Sequence, residues 1–146
     1  DLCDGEDASL YRCFENSFCL SADVSNAYDP NFGETCDKRN NSALNMGVAI
    51  FKYTGSKGKG GANDASAEVM GHIRRILDDA GVIWQVGTLG RVDQGGGGTV
   101  AAIMGNRNIV TVDAGVPVLS MHAPVEIISK LDCYMSMRAC KAVYED

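Results

Sequence analysis

A short apolar run that ends in a polar turn organises this chain: Val116-Pro117-Val118-Leu119-Ser120-Met121-His122-Ala123-Pro124-Val125-Glu126. The turn presents a histidine. An amphipathic segment from Ile127 to Tyr144 follows and predicts a long helix, with one face formed by Ile128, Leu131, Met135, Ala139 and Ala142. Ligands of open α/β sheets bind at the carboxyl ends of strands, so His122 is placed for a site. A surface or capping histidine is the structural alternative.

A second stretch, Leu20-Ser21-Ala22-Asp23-Val24-Ser25-Asn26-Ala27, places a carboxylate at the end of another strand-like run. An aspartate at a strand end is commonly a turn or capping residue. Paired with the imidazole of His122, however, Asp23 would supply the oxygen and nitrogen ligands that a divalent metal site takes from its protein. The two stretches together therefore predict a metal site.

The remaining pattern alternates strands with helices. Strands are predicted over residues 18–24, 46–54, 82–87, 108–113 and 116–121, and short helices over 8–16 and 99–104. A longer helix begins after the N-cap candidate Asn63 and stops at Gly81, with an apolar stripe formed by Ala65, Val69, Ile73, Ile76, Leu77 and Ala80. Residues 25–45 read as a long surface loop. This alternation predicts an α/β fold, a layered α/β/α sheet with helices on both faces.

Composition narrows the classes of function. The 146 residues are 45% hydrophobic and carry a net charge of -6, which argues for a globular domain and against nucleic acid or an anionic membrane surface as partners. No apolar run approaches the roughly 20 residues of a membrane span, and the acidic first residues do not resemble a signal peptide. The six cysteines form no Cys-x-x-Cys pair, so we expect free thiols and a cytoplasmic protein.

Other motifs are weaker. Gly96-x-Gly98-x-x-Ala101 fits a loose dinucleotide fingerprint with Asp113 beyond it, but it does not directly follow a strand. The same turn could instead bind a substrate's carboxylate or peptide group through backbone N–H groups, or simply be a tight turn. Lys57 and Lys59 lie in a glycine loop that lacks the P-loop pattern. His72 is read as solvated, and Glu126 as a first-turn residue of the last helix that favours the helix dipole or orients His122.

Four stretches in order resemble the M18 metalloaminopeptidases, the aspartyl aminopeptidase and aminopeptidase I group. They are residues 20–31 (Leu-Ser-Ala-Asp-Val-Ser-Asn-Ala-Tyr-Asp-Pro-Asn), 52–55 (Lys-Tyr-Thr-Gly), 92–101 (Val-Asp-Gln-Gly-Gly-Gly-Gly-Thr-Val-Ala) and 112–124 (Val-Asp-Ala-Gly-Val-Pro-Val-Leu-Ser-Met-His-Ala-Pro). The resemblance runs from about Phe18 to the end, and Ser-Met-His-Ala-Pro is its sharpest part.

The resemblance implies a dinuclear zinc-peptidase-like fold and two divalent metal ions, most simply zinc, that activate a water to remove N-terminal residues from peptides. Of the family's five metal ligands, the fourth falls on Asp23 and the fifth on His122. Gly96, Gly97, Gly98 and Thr99 would line the substrate cleft.

The family's remaining ligands and its general-base glutamate are expected upstream, so no catalytic residue is expected in residues 1–146. These residues would form the C-terminal half of a metalloaminopeptidase catalytic domain, without the N-terminal half and the oligomerisation insert. They would therefore be incomplete, and we expect them to be inactive alone. The full-length protein would be a homo-oligomer. The alternative is a non-catalytic fragment or assembly module with the same fold.

Overall fold

One mixed sheet forms the centre of the computed structural model, which describes residues 7–52, 54, 63–91 and 94–146. Its strands are β1 (Phe18–Asn26), β2 (Val48–Phe51), β3 (Trp84–Val86), β4 (Val110–Leu119) and β5 (Ile127–Ile128). The helices are α1 (Asp7–Glu15), α2 (Ala67–Asp79), α3 (Val100–Gly105) and α4 (Lys130–Glu145), with a 3-10 helix at Pro30–Thr35.

The strands lie in the order β1-β4-β2-β3, with β5 also paired to β4. β1 runs parallel to β4, and β3 parallel to β2, whereas β2 and β5 run antiparallel to β4. The pairing of β1 and β4 extends from Phe18↔Val110 to Asn26↔Val118. Because these two strands run in the same direction, their carboxyl ends meet at one edge of the sheet.

The prediction of two separate strands at 108–113 and 116–121 is wrong, since both belong to β4. The gap predicted at residues 114–115 lies inside this continuous strand. β2 pairs with β4 as far as Gly115, and β5 pairs from Val118 onward. Pro117 has no N–H to donate. It lies between those two pairings, so β4 continues through this position without interruption.

One face of the sheet is apolar and is covered by α2 and α4. Val48 and Ile50 of β2 and Val112 and Ala114 of β4 pack there against the helices, in a core that also contains Ile73, Ile76, Leu77, Met135, Ala139 and Ala142. The side chain of Arg138 in α4 donates a hydrogen bond to the carbonyl of Ala80, the residue that ends α2. The apolar stripes predicted for both helices thus supply the core.

The N-cap of α2 is Ser66 rather than the expected Asn63, because the Ser66 hydroxyl accepts the N–H of Val69 at 3.2 Å. Gly81 follows α2 with φ of 61°, as expected for a helix stop. α4 begins later than expected: residues 127 and 128 form β5, so Ile128 is an exposed strand residue and Glu126 lies outside the helix.

The opposite face of the sheet is polar. In β1 it carries Cys19, Ser21, Asp23 and Ser25, because alternate side chains of a strand share a face. Their register partners in β4 on that face are Thr111, Asp113, Gly115 and Pro117. Thr99, the N-cap of α3, bonds to Asp113 and places α3 on this side. The prediction of an α/β sheet with helices on both faces is confirmed.

Residues 27–47 cross the carboxyl edge of the sheet. Instead of a structureless loop they contain the 3-10 helix, which is capped by the Asp29 side chain. Ala27 and Ser42 form an isolated bridge, and the hydroxyls of Ser25 and Ser42 lie 2.9 Å apart in the interior. No helix within the described ranges is both long and apolar enough to cross a bilayer. The five described cysteines all carry free thiols.

Candidate metal and substrate site

Asp23 lies within β1, three residues before its end, so the expectation that this carboxylate closes the strand is wrong. Its side chain is exposed on the polar face, and Oδ1 accepts the backbone N–H of Val24 at 2.7 Å. The residue opposite in β4 is Gly115. A Cβ at Gly115 would come within 2.9 Å of the backbone of Val24, so only glycine allows β1 and β4 to approach this closely beside Asp23.

His122 occupies the turn after β4, and its side chain is exposed. The turn is unusual because Ser120 and His122 both have positive φ, at 58° and 67°. Residues other than glycine adopt this conformation uncommonly, although histidine does so more often than serine, and such backbone strain is concentrated at functional sites. The geometry therefore supports a site here independently of the sequence motif.

Glu126 holds the same turn together. Its Oε1 accepts the backbone N–H of His122 at 2.6 Å, and the N–H of Ala123 donates to the carbonyl of Ser120 at 2.9 Å. The expected first-turn position in the last helix is wrong, and the observed contact is with the His122 backbone. Glu126 fixes the turn that presents the histidine.

Asp23 lies in β1, and His122 lies in the turn that follows β4, the parallel neighbour of β1. Asp23 is level with Gly115, four residues before the end of β4, which corresponds to roughly 13 Å along the strand. The turn lies near the end of β1, because Ser120 and Met121 line a cavity of about 240 Å³ together with Asn26. No group of three or more His, Cys, Asp or Glu side chains converges within the described ranges. The ligand roles of Asp23 and His122 stay predictions.

The glycine turn precedes α3. Gly96 has φ of 94°, and a Cβ at Gly95 would crowd the backbone nitrogen of Arg91 at 3.0 Å, so a side chain at either position would strain the turn. Thr99 is the N-cap of α3, but its hydroxyl does not cap the helix. It donates to Asp113 instead, at 3.0 Å, and so fixes the end of the turn over the polar face.

The dinucleotide reading of this turn has no structural support. β3 ends at Val86, well before α3 begins at Val100, whereas the fingerprint requires a strand that leads directly into the glycines. α3 itself has only six residues. The role of Gly96, Gly97, Gly98 and Thr99 in substrate binding stays a prediction.

Asp113 is the residue that sequence reasoning missed, having been considered only as a partner of the dinucleotide fingerprint. Its side chain is 3% exposed. Thr54 and Thr99 donate to Oδ2 at 3.3 and 3.0 Å. The sequence did contain a signal for this residue, because Asp113 is a lone carboxylate in an apolar strand segment. Ionised groups are rarely buried without partners, so polar partners could have been expected for it. Burial, and secondarily the charge of Asp113, raise the pKa of the neighbouring Cys19 thiol.

His72, read as solvated, is in fact half-buried. Its ring meets Phe18 edge-on with centroids 6.3 Å apart, Nδ1 lies 2.8 Å from the Arg75 guanidinium, and Nε2 lies 3.2 Å from an Asp146 carboxylate oxygen. These contacts give His72 a packing role. Lys57 and Lys59 lie outside the described residues.

Comparison with known proteins identifies the family. A family model described as aminopeptidase I zinc metalloprotease (M18) matches residues 3–144. The chain belongs to the M18 family.

Similar M18 proteins extend well beyond this chain. The probable M18 family aminopeptidase 1 of Clostridium acetobutylicum is 48% identical over 134 residues, which are 91% of this chain and 29% of that protein. The corresponding protein of Thermotoga maritima is 44% identical over 136 residues, 93% of this chain and 30% of that protein. The chain thus spans about 30% of the length of the curated relatives it matches.

Solved M18 structures share the fold. The Thermotoga maritima M18 aminopeptidase matches with a TM-score of 0.91 and 41% identity, covering 96% of this chain and 31% of that one. Aminopeptidase I of Clostridium acetobutylicum matches with a TM-score of 0.86 and 47% identity, covering 91% and 29%. An mApe1 dodecamer, 22% identical with a TM-score of 0.71 and covering 93% and 28%, shares the fold alone.

Proposed function

We propose that this chain is the C-terminal half of the catalytic domain of a metal-dependent aminopeptidase, which removes N-terminal residues from peptides with two divalent ions, most simply zinc. Membership of the zinc metalloprotease family M18 supports the class of reaction. The observation that supports the proposal for this chain is that Asp23 lies in β1 and His122 lies in the turn after β4, the parallel neighbour of β1, so both lie towards the edge where the two strands end.

The residues present fit part of a metal site. Asp23 offers exposed carboxylate oxygens, and His122 offers an exposed imidazole on a turn in a left-handed conformation. Carboxylate oxygen and imidazole nitrogen are ordinary zinc ligands, and a zinc site takes three or four of them. The missing ligands and the general-base glutamate are therefore assigned to the part of the protein outside this chain.

The contribution of this chain is to bind and to orient. A pair of divalent ions, when bound, would lower the pKa of a water and polarise the scissile carbonyl. Asp23 and His122 would hold the ions, and Glu126 would keep the His122 backbone in place through its 2.6 Å hydrogen bond. The turn at Gly96–Thr99 would present backbone N–H groups to the peptide, at a position fixed by the bond from Thr99 to Asp113.

Replacing either proposed ligand in the full-length protein tests this function. We expect Asp23→Ala and His122→Ala each to reduce kcat/KM on an aminoacyl chromogenic substrate by about 100-fold or more, with loss of bound zinc, because each ligand holds an ion that stabilises the transition state. His72→Gln is the control and should stay within about threefold of the wild type. Full activity in both ligand variants would refute the proposal.

We also propose that the full-length protein is a cytoplasmic homo-oligomer. The mApe1 dodecamer, which shares the fold, and the absence of disulfides among the described cysteines support this. The competing proposal is a non-catalytic assembly module of the same fold. A full-length protein that oligomerises but neither binds zinc nor hydrolyses aminoacyl substrates would favour that alternative.

A further inference from the structure

Asp113 is a buried carboxylate whose only part in the proposed function so far is the bond that fixes Thr99. Its neighbours in β4, Val112 and Ala114, are buried in the core on the opposite face. The Thr54 and Thr99 hydroxyls both donate to Oδ2, at 3.3 and 3.0 Å, and lie 3.3 Å from each other. One carboxylate oxygen is therefore well satisfied by two donors.

The other oxygen is not. Oδ1 of Asp113 is buried and accepts no hydrogen bond from any described residue. An unpaired buried acceptor destabilises the fold, and more so when it is charged, so a donor is expected there. Asp113 lines a cavity of about 10 Å³, and a space of roughly this size holds one water molecule.

Asp23 lines the same cavity. The register pairs Ser21 with Asp113 and Asp23 with Gly115, so the two carboxylates are diagonal neighbours on one face of the sheet. Gly115, opposite Asp23, places no side chain between them. Ionised carboxylates only accept hydrogen bonds and cannot bond to each other, whereas a water molecule can donate one proton to each.

We propose that one buried water molecule bridges Oδ1 of Asp113 and the carboxylate of Asp23, which makes Asp113 a positioning residue for Asp23. The inference rests on the proposed function, in which Asp23 binds metal. Val24 N–H already donates to Oδ1 of Asp23 at 2.7 Å, and the water supplies a second bond. Since a carboxylate has about four lone-pair sites, two remain for a metal, in an orientation that the two bonds fix.

A crystal structure of the full-length wild-type protein, at a resolution that places water, tests the bridge directly. We expect a water at about 2.6–3.2 Å from Oδ1 of Asp113 and from one oxygen of Asp23. It should be present with and without added zinc, since both partners belong to the protein. An empty position, a cation with several short oxygen contacts, or a side-chain donor on Oδ1 would each overturn the inference.

Two variants of the full-length protein test the positioning role. We expect Asp113→Leu to weaken zinc binding by about 10- to 100-fold in competition with a chromophoric chelator, as other changes behind a metal ligand do. Asp113→Asn should lose less, because the amide oxygen still accepts the Thr99 hydroxyl while its N–H groups can donate to the water. This graded rescue separates positioning from simple packing.

Asp132→Asn is the matched control, because Asp132 is also a buried carboxylate, held by two backbone N–H groups elsewhere in the fold. It should lower Tm but leave zinc affinity within about twofold of the wild type. Wild-type zinc affinity in both Asp113 variants, or an equal loss in Asp132→Asn, would refute the positioning role. If Asp113→Leu does not fold, Asp113→Asn and the wild-type crystal structure decide the question.

These experiments distinguish a failure of the water bridge from a failure of the proposed function. A wild-type protein with the water in place but no zinc binding would refute the metal site and retain the bridge. An empty position beside Asp113 in an active enzyme would refute the bridge and retain the aminopeptidase.

Discussion

At the scale of single residues, the charge of Asp113 acts on Cys19. Both side chains lie on the polar face, two residues apart in register, since Cys19 pairs with Thr111 and Ser21 with Asp113. Burial, as the larger cause, and the negative charge of Asp113, as the smaller, raise the pKa of the Cys19 thiol above its ordinary value of 9.0. Both causes disfavour the thiolate, which is the reactive form.

The pH dependence of alkylation tests this arrangement. We expect the rate of Cys19 alkylation by iodoacetamide, followed by mass spectrometry, to rise with a midpoint above pH 9.0. In Asp113→Asn the midpoint should fall but remain above 9.0, because burial persists. The folded state favours the protonated thiol, so the stability that this group contributes is present below its ordinary pKa and is lost as pH rises through the raised value. A midpoint that does not change in Asp113→Asn would contradict the contact, and exposed Cys133 serves as the internal control.

Sequence reasoning identifies residues whose chemistry is visible in a local motif. Asp23 and His122 stand in short polar segments next to apolar runs; the structure has Asp23 within β1 and His122 in the turn after β4, and their ligand roles stay predictions. Asp113 was missed because its partners, Thr54 and Thr99, are 59 and 14 residues away along the chain. Contacts of this kind depend on strand order, which no local pattern encodes.

At the scale of elements, local periodicity predicted the helices better than the strands. The apolar stripe of α2 is regular, and Ile73, Ile76 and Leu77 are buried as expected. Strand limits depended on pairing with distant segments, so β4 was predicted as two strands, and Ile127 and Ile128 were predicted as helical although they pair with β4. Tertiary pairing overrides local propensity at such positions.

The link between α4 and the start of β2 depends on one carboxylate. Asp132 is fully buried, and its two oxygens accept the N–H groups of Asn45 and Gly47, both at 2.7 Å. We expect Asp132→Ala to lower the free energy of unfolding by about 1–3 kcal/mol, because the buried N–H of Gly47 and the partly buried N–H of Asn45 lose their acceptor. Asp132→Asn should cost less, since one oxygen remains to accept.

Urea unfolding of the full-length protein measures these changes. Asp79→Asn, at an exposed position at the end of α2, is the control and should change the free energy of unfolding by no more than about 0.5 kcal/mol. If Asp132→Ala matched this control, the hydrogen bonds of Asp132 would have no role in joining α4 to β2.

At the scale of the whole molecule, the apolar face of the sheet, which packs against α2 and α4, is incompletely covered. β1 pairs with β4 along one edge, and no described strand pairs with its other edge. Between β1 and α4 lies a groove of about 340 Å³, lined by apolar side chains that include Leu20, Ala22 and Val24. Unpaired edges and apolar grooves promote association. Because the chain spans about 30% of its curated relatives, we expect the rest of the full-length protein to cover this groove.

A substitution at Val24 tests whether the groove is covered, since Val24 lines the groove and is 36% exposed in this chain. If the groove is covered in the full-length protein, Val24→Lys buries an unpaired charge, and we expect a loss of about 2 kcal/mol or more and a Tm lower by several degrees. Tyr144→Lys, at a side chain 92% exposed near the end of α4, should leave Tm within about 1 °C. A Val24→Lys protein as stable as the wild type would mean that the groove stays open to solvent, because a lysine is tolerated there only where its ammonium reaches water.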